Sequence, residues 1–132
     1  MLSDIPDSYK KLLQDEDKAF VFLATTMPDG SPQVTPVWFN FDGEHIYINS
    51  AQGRVKDKNM RDRPQVALSI VNMENPYLSM QIRGKVVELT SEGAVEHINA
   101  LSLKYRGSDY FDIAEGQTRI IYKILPEKIG LM

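Results

Sequence analysis

The residues best suited to chemistry in this chain are cationic and sit at one corner. Arg54, Lys56 and Lys58 follow the tetrapeptide Ser50-Ala51-Gln52-Gly53, where an alternating run, HIYINS, gives way to GRVKDKNMRDR. A helix start exposes unpaired backbone N–H groups and carries partial positive charge, so it favours anions. Small residues let an anion approach that backbone. Arg54 adds a two-pronged clamp for a phosphate and Lys56 a point charge. The same residues allow a second arrangement, because Arg54, Asp57, Lys58, Arg61 and Asp62 recur at helical spacing and could pair along a solvated face. Spacing alone leaves both open.

Other chemistries are narrowed by composition. The chain has no cysteine and only two histidines, His45 and His97, which excludes thiolate chemistry and argues against a metal site. No His, Cys and carboxylate set converges on the basic corner, so no catalytic side chain is assigned. A net charge of −3 argues against nucleic-acid binding, as does the lack of aromatic platforms on a basic sheet face. No apolar run approaches the roughly 18 residues of a membrane span, and MLSDIPDSYKK does not read as a secretion signal, so the expected compartment is the cytoplasm.

The elements that must position the corner follow from periodicity. The 132 residues suit one domain, residues 1–132. A short helix is predicted over Ile5 to Gln14, with Ser3 or Asp4 as N-cap and Tyr9, Leu12 and Leu13 on one face. AFVFLATT reads as a strand buried on both faces, MPDGSP as a tight turn, and QVTPVWFNF as a second strand whose Pro36 requires an edge or a bulge. HIYINS is a third strand, and GRVKDKNMRDR a helix ending before Pro64. QVALSIV and LSMQIRGKVVEL follow as strands, SEGAVEHINALSLKYRG as a helix with Gly107 as C-cap, and QTRIIYKILPEKIGLM as at least one more strand. The fold class is mainly β with flanking helices: about six antiparallel strands in a barrel or strongly curled sheet.

The segment DGSPQVTPVWFNFDGEHIYINSAQGRVKDKNMRDRPQVALSI resembles the flavin-site half of the pyridoxamine 5'-phosphate oxidase superfamily. It is most similar there to the small split-barrel oxidoreductases that use the deazaflavin coenzyme F420. The likeness runs from about Ala19 to Glu88 and continues more weakly to the C-terminus. It implies an FMN-binding type split β-barrel in which Arg54 and Lys56 grip the cofactor phosphate. Asn49 and Ser50 would add strand-end and N-cap contacts, and Asn59 would follow one helical turn after Lys56. Gln33, Thr35, Pro36, Val37 and Trp38 would lie on the strand beneath the ring system, although Trp38 and Phe39 also suit core packing.

Departures from the pattern matter too. The vitamin oxidases carry basic residues where this chain has Val34 and Phe39, and an Arg-x-His near the C-terminus that RIIYKILPEKIGLM lacks, which argues against pyridoxine phosphate oxidation. The resemblance therefore implies hydride transfer between reduced F420 and a small unsaturated or conjugated substrate. FMN is the alternative cofactor, and a non-catalytic flavin or haem carrier the alternative role. Lys58, Arg61 and Arg63 suit an anionic cofactor tail or a salt-bridged helix. The likeness also implies a homodimer with shared sites, to which the loop of Asn75, Pro76 and Tyr77 would contribute from the partner subunit.

Overall fold

The computed structural model describes residues 5–131, so the expected caps Ser3 and Asp4 lie outside the described residues. The N-terminal helix is shorter than its sequence pattern suggests. Helix α1 spans Asp7–Lys10 and tightens at once into a 3-10 turn, Lys11–Leu13. The tightening turns Leu12 and Leu13 together into the core.

Seven antiparallel strands follow: β1 (Phe20–Thr26), β2 (Pro32–Val37), β3 (Phe39–Phe41), β4 (Ile46–Ala51), β5 (Gln65–Val71), β6 (Ser79–Thr90) and β7 (Arg119–Leu131). They form one sheet in the order β2-β1-β5-β6-β7-β4-β3. The count exceeds six because QVTPVWFNF breaks at Trp38, with its first half pairing β1 and its second half pairing β4. Strands β2 and β3 are thus the two edges of the sheet, yet a single residue joins them. A seven-stranded sheet whose edges are one residue apart must curl round to bring them together, which makes it a barrel split along one seam. Pro36 sits on the edge strand β2, opposite Phe22, where the missing N–H costs no central ladder bond.

Inside the curl, Val21, Leu23, Phe39, Ile46, Ile48, Leu68, Ile70, Ile82, Tyr122 and Ile124 are buried. Strand β1 is not buried on both faces: Val21, Leu23 and Thr25 point inward, whereas Phe22 between them is 37% exposed. The apolar run is therefore one core face plus an uncovered outer face, and the two cannot be told apart from composition. Strand β6 carries a register shift at Arg83/Gly84, where a Cβ on Gly84 would come within 2.6 Å of the Leu125 carbonyl oxygen. Only glycine fits that close approach.

Two helices lie outside the curl. Helix α2 (Val55–Asp62) follows β4, and α3 (Ala94–Arg106) buries Ile98 and Leu101 against the sheet. Gly107 caps α3 in the left-handed conformation (φ 74°), with its N–H donating to the Leu103 carbonyl at 3.0 Å. Among the described residues no helix is long and apolar enough to cross a membrane, and no three metal-ligating side chains cluster.

Candidate anion and cofactor site

The β4–α2 corner divides its charges into two sets. Asp57 is buried and fully engaged: it accepts from the Gly53 N–H at 2.9 Å, from the Tyr122 hydroxyl at 2.5 Å and from Arg61 Nε at 3.1 Å. Burial pushes its pKa up, but these donors outweigh burial and hold the carboxyl below its usual value. Arg63 is also committed to the protein, donating to the Thr26 carbonyl at 2.7 Å and to Asn59 Oδ1 at 3.2 Å. The salt-bridged reading thus holds for Asp57 and Arg61. Arg54 and Lys56, by contrast, meet no carboxylate among the described residues.

Those two face a recess of about 210 Å³ that is also lined by Pro36, Val37 and Trp38 from the β2–β3 edge and by Asn49 and Ser50 from β4. Seven residues expected at a cofactor site are thereby brought together. The recess is completed by Ile98, Phe111 and Arg119, which sequence reasoning missed. Arg119 opens β7 and pairs with Ala51, so the β4–β7 register carries it to the corner across a separation of 70 residues from Asn49. Its only sequence signal was an Arg heading an apolar strand.

Arg119 is 6% exposed, and its bonds go to neutral oxygens: Nε to Asn49 Oδ1 at 2.9 Å and Nη1 to Gln117 Oε1 at 2.9 Å. Burial first, and Arg54 second, lower its pKa. Lys56 is half-buried, with Thr35 Oγ1 at 3.5 Å as its polar contact, and its pKa falls for the same reasons plus the charge of Arg119. Deeper in the wall, Ser50 Oγ is buried without a hydrogen-bond partner. A buried cation without a counter-charge and a buried hydroxyl without a partner are both costly, and an anion in the recess would relieve both.

Several expected contacts are displaced. Ser50 lies within β4 and is not an N-cap; Arg54 holds the N-cap position of α2 and makes no side-chain cap bond. Asn59 is buried away from the recess, donating to Thr25 Oγ1 at 3.0 Å, and Gln33 accepts from that same Thr25 hydroxyl at 3.2 Å. An i,i+3 spacing places Asn59 near Lys56 along α2 but turns its side chain under β1. Tyr77 is 81% exposed, in a loop apart from the recess. Phe39 is core, whereas Trp38 stacks on Tyr105 of α3 (5.3 Å, 10°) and meets Phe111 edge-on, leaving part of the indole to line the recess. His45 and His97 do not line it. A larger hollow of about 560 Å³, around Thr25, Gln65, Ala67 and Arg83, contains none of the corner's cations, so the chemistry points to the smaller recess.

Comparison with known proteins places this geometry in context. The family model described as Pyridoxamine 5'-phosphate oxidase matches residues 5–132. An F420 reductase structure is 31% identical, with 96% of this chain and 98% of that chain covered and a TM-score of 0.84. HupZ of Group A Streptococcus (19% identity, 97% and 94% covered, TM-score 0.69) and a conserved hypothetical protein of Mycobacterium tuberculosis (19%, 95% and 82%, 0.69) share the fold. A comparison with curated proteins gave no match.

Proposed function

The chain belongs to the pyridoxamine 5'-phosphate oxidase family, and on that premise we propose that it is an oxidoreductase that uses coenzyme F420 to reduce a small unsaturated or conjugated substrate. One observation carries the reading: Arg54, Lys56 and Arg119 gather around the unpartnered Ser50 Oγ with no carboxylate among the described residues to neutralise them. A phosphate fits that set. The Arg119 guanidinium, Lys56 Nζ, Ser50 Oγ and Arg54 would hold it. The β2 edge would receive the ring, where Pro36 leaves no competing N–H, and Trp38 and Phe111 would form an apolar wall. The bound cofactor supplies the hydride. The residues bind, orient and exclude water, and because no His or carboxylate lines the recess, the completing proton comes from solvent.

F420 is preferred to FMN because the 31% identical relative is an F420 reductase. The tail argument from surface charge is weaker than the sequence suggested, since Arg61 and Arg63 are committed to Asp57, Thr26 and Asn59 and only Lys58 stays available. A recess of about 210 Å³ is smaller than the pockets of about 300–1,000 Å³ typical of bound small molecules, so the site is completed by a second copy. The outer face, where Phe22 is 37% and Val34 64% exposed, suits that homodimer, and Tyr77 is the partner's candidate contribution.

Titration of the purified protein with F420 and with FMN tests the reading, alongside sedimentation for the dimer. Colourless protein that quenches F420 fluorescence and sediments as a dimer is expected. Yellow protein carrying stoichiometric FMN would move it to the FMN reading, and tight cofactor binding by a monomer would remove the shared site.

A further inference from the structure

Behind the recess the hydrogen bonds run in one fixed order. Asn49 Nδ2 donates to the Ala94 carbonyl at 2.8 Å and lies 3.1 Å from His97 Nδ1, while Asn49 Oδ1 accepts from Arg119 Nε at 2.9 Å. The carbonyl of Ala94 can only accept, so the amide cannot be turned the other way. Its second hydrogen then requires a lone pair on His97 Nδ1, which assigns the ring hydrogen to Nε2, 2.7 Å from Asn40 Oδ1. In this arrangement Arg119 Nε, both hydrogens of Asn49 Nδ2 and His97 Nε2 each face an acceptor.

Its effect falls on Arg119. With Nε held by Asn49 and Nη1 by Gln117, the guanidinium plane is fixed, and Nη2 has no protein acceptor among the described residues. We propose that His97 is a positioning residue: as the neutral Nε2–H tautomer it joins the Ala94 carbonyl in holding the Asn49 amide, which in turn aims Arg119 at an anion in the recess. The inference rests on the phosphate reading of the recess.

The surroundings keep the relay in that state. His97 is flanked by Tyr47 (ring centroids 6.4 Å apart), lines a hollow of about 330 Å³ with Asp42, Glu88 and Lys123, and has Arg119 beyond Asn49. Burial, and then Arg119, hold its pKa down to about 4. A protonated ring would set an N–H against the Asn49 N–H, and the only relief, an amide flip, would set a second N–H against Arg119 Nε.

The test reads Arg119 directly. By ¹⁵N NMR of arginine side chains, an exchange-protected Arg119 Nε–H is expected in the unaltered protein, lost in His97→Leu and kept in His97→Asn, whose Oδ1 replaces the Nδ1 acceptor. Affinity for F420, and for inorganic phosphate as a minimal probe, is expected to fall about tenfold in His97→Leu and less than about twofold in His97→Asn. In an Arg119→Gln background His97→Leu should have no further effect. A retained Arg119 signal in folded His97→Leu, or an equal affinity loss in both backgrounds, overturns the relay. If the unaltered protein binds neither probe, the functional reading falls while the Nε–H signal still decides the relay.

Discussion

Lys104 and Arg119 are both buried cations on the outside of the same curl, and they are treated in opposite ways. Lys104 Nζ donates to the Phe39 carbonyl at 2.6 Å, pairs with Asp15 at 3.1 Å and sits 4.2 Å above the Phe39 ring. Burial lowers its pKa, but the Asp15, Glu16 and Asp17 carboxylates oppose that fall. Arg119 is held by two neutral oxygens and packs 5.1 Å from the Phe111 ring centroid, with no carboxylate partner among the described residues, and the strongest charge acting on it after burial, Arg54, deepens the fall. A cation that serves the fold is neutralised where it lies. A cation held by neutral acceptors keeps its charge available, as the proposed phosphate site requires.

The largest expected effects separate the two. Lys104→Met should cost about 2–3 kcal/mol of stability, the scale of hydrogen bonds to a charged group, because it releases the Asp15–Asp17 turn from Phe39, yet ligand affinity in the folded fraction should hold. Arg119→Gln should do the reverse, weakening cofactor binding by about 1.5–3 kcal/mol while the ligand-free protein keeps or gains stability as repulsion with Arg54 and Lys56 is relieved. Lys56→Ala and Arg54→Ala should resemble Arg119→Gln. Urea denaturation and fluorescence titration of the same samples decide it, and a destabilised Arg119→Gln with normal affinity would erase the distinction.

A middle-sized effect is the pH dependence of the relay beside Arg119. His97 has a folded pKa lowered to about 4, below the ordinary histidine value, so the unfolded chain takes up the proton first. The resulting stability is complete above about pH 6.5 and is lost as pH falls toward 4. Between pH 7 and pH 5 the loss should be about 2 kcal/mol, and His97→Asn should lack that share of the slope. Denaturation midpoints that do not move between these pH values would mean that His97 is not buried neutral.

How much of this was legible follows the range of each interaction. Arg54, Lys56, Asn49 and Ser50 sit within eight residues, so one strand-to-helix corner places them whatever the rest of the chain does. The break at Trp38 was not legible, since the residues on either side both alternate as strands and only the sheet order shows that they pair with opposite edges. Arg119 and Phe111 arrive through the β4–β7 register and the loop after α3, which no local pattern encodes. Asn59 shows the converse failure: the helix was right, but spacing along it could not tell the recess side from the side turned toward Thr25.

The smallest effect sharpens the comparison most, because Lys58 belongs to the same basic run as Lys56 and differs only in where it points. It is exposed, has no partner among the described residues and does not line the recess. An exposed charge near an anion acts through water and salt, so Lys58→Ala should weaken cofactor binding by less than about 0.5 kcal/mol, and that small loss should disappear in about 0.5 M salt. Lys56, half-buried beside Thr35 and Arg119, should keep most of its effect at the same ionic strength. Titrating both variants at low and high salt reads the difference. An equal loss at the two positions would mean that net charge on α2, and not a built recess, attracts the cofactor, and the distinction between held and neutralised cations would not extend beyond Arg119.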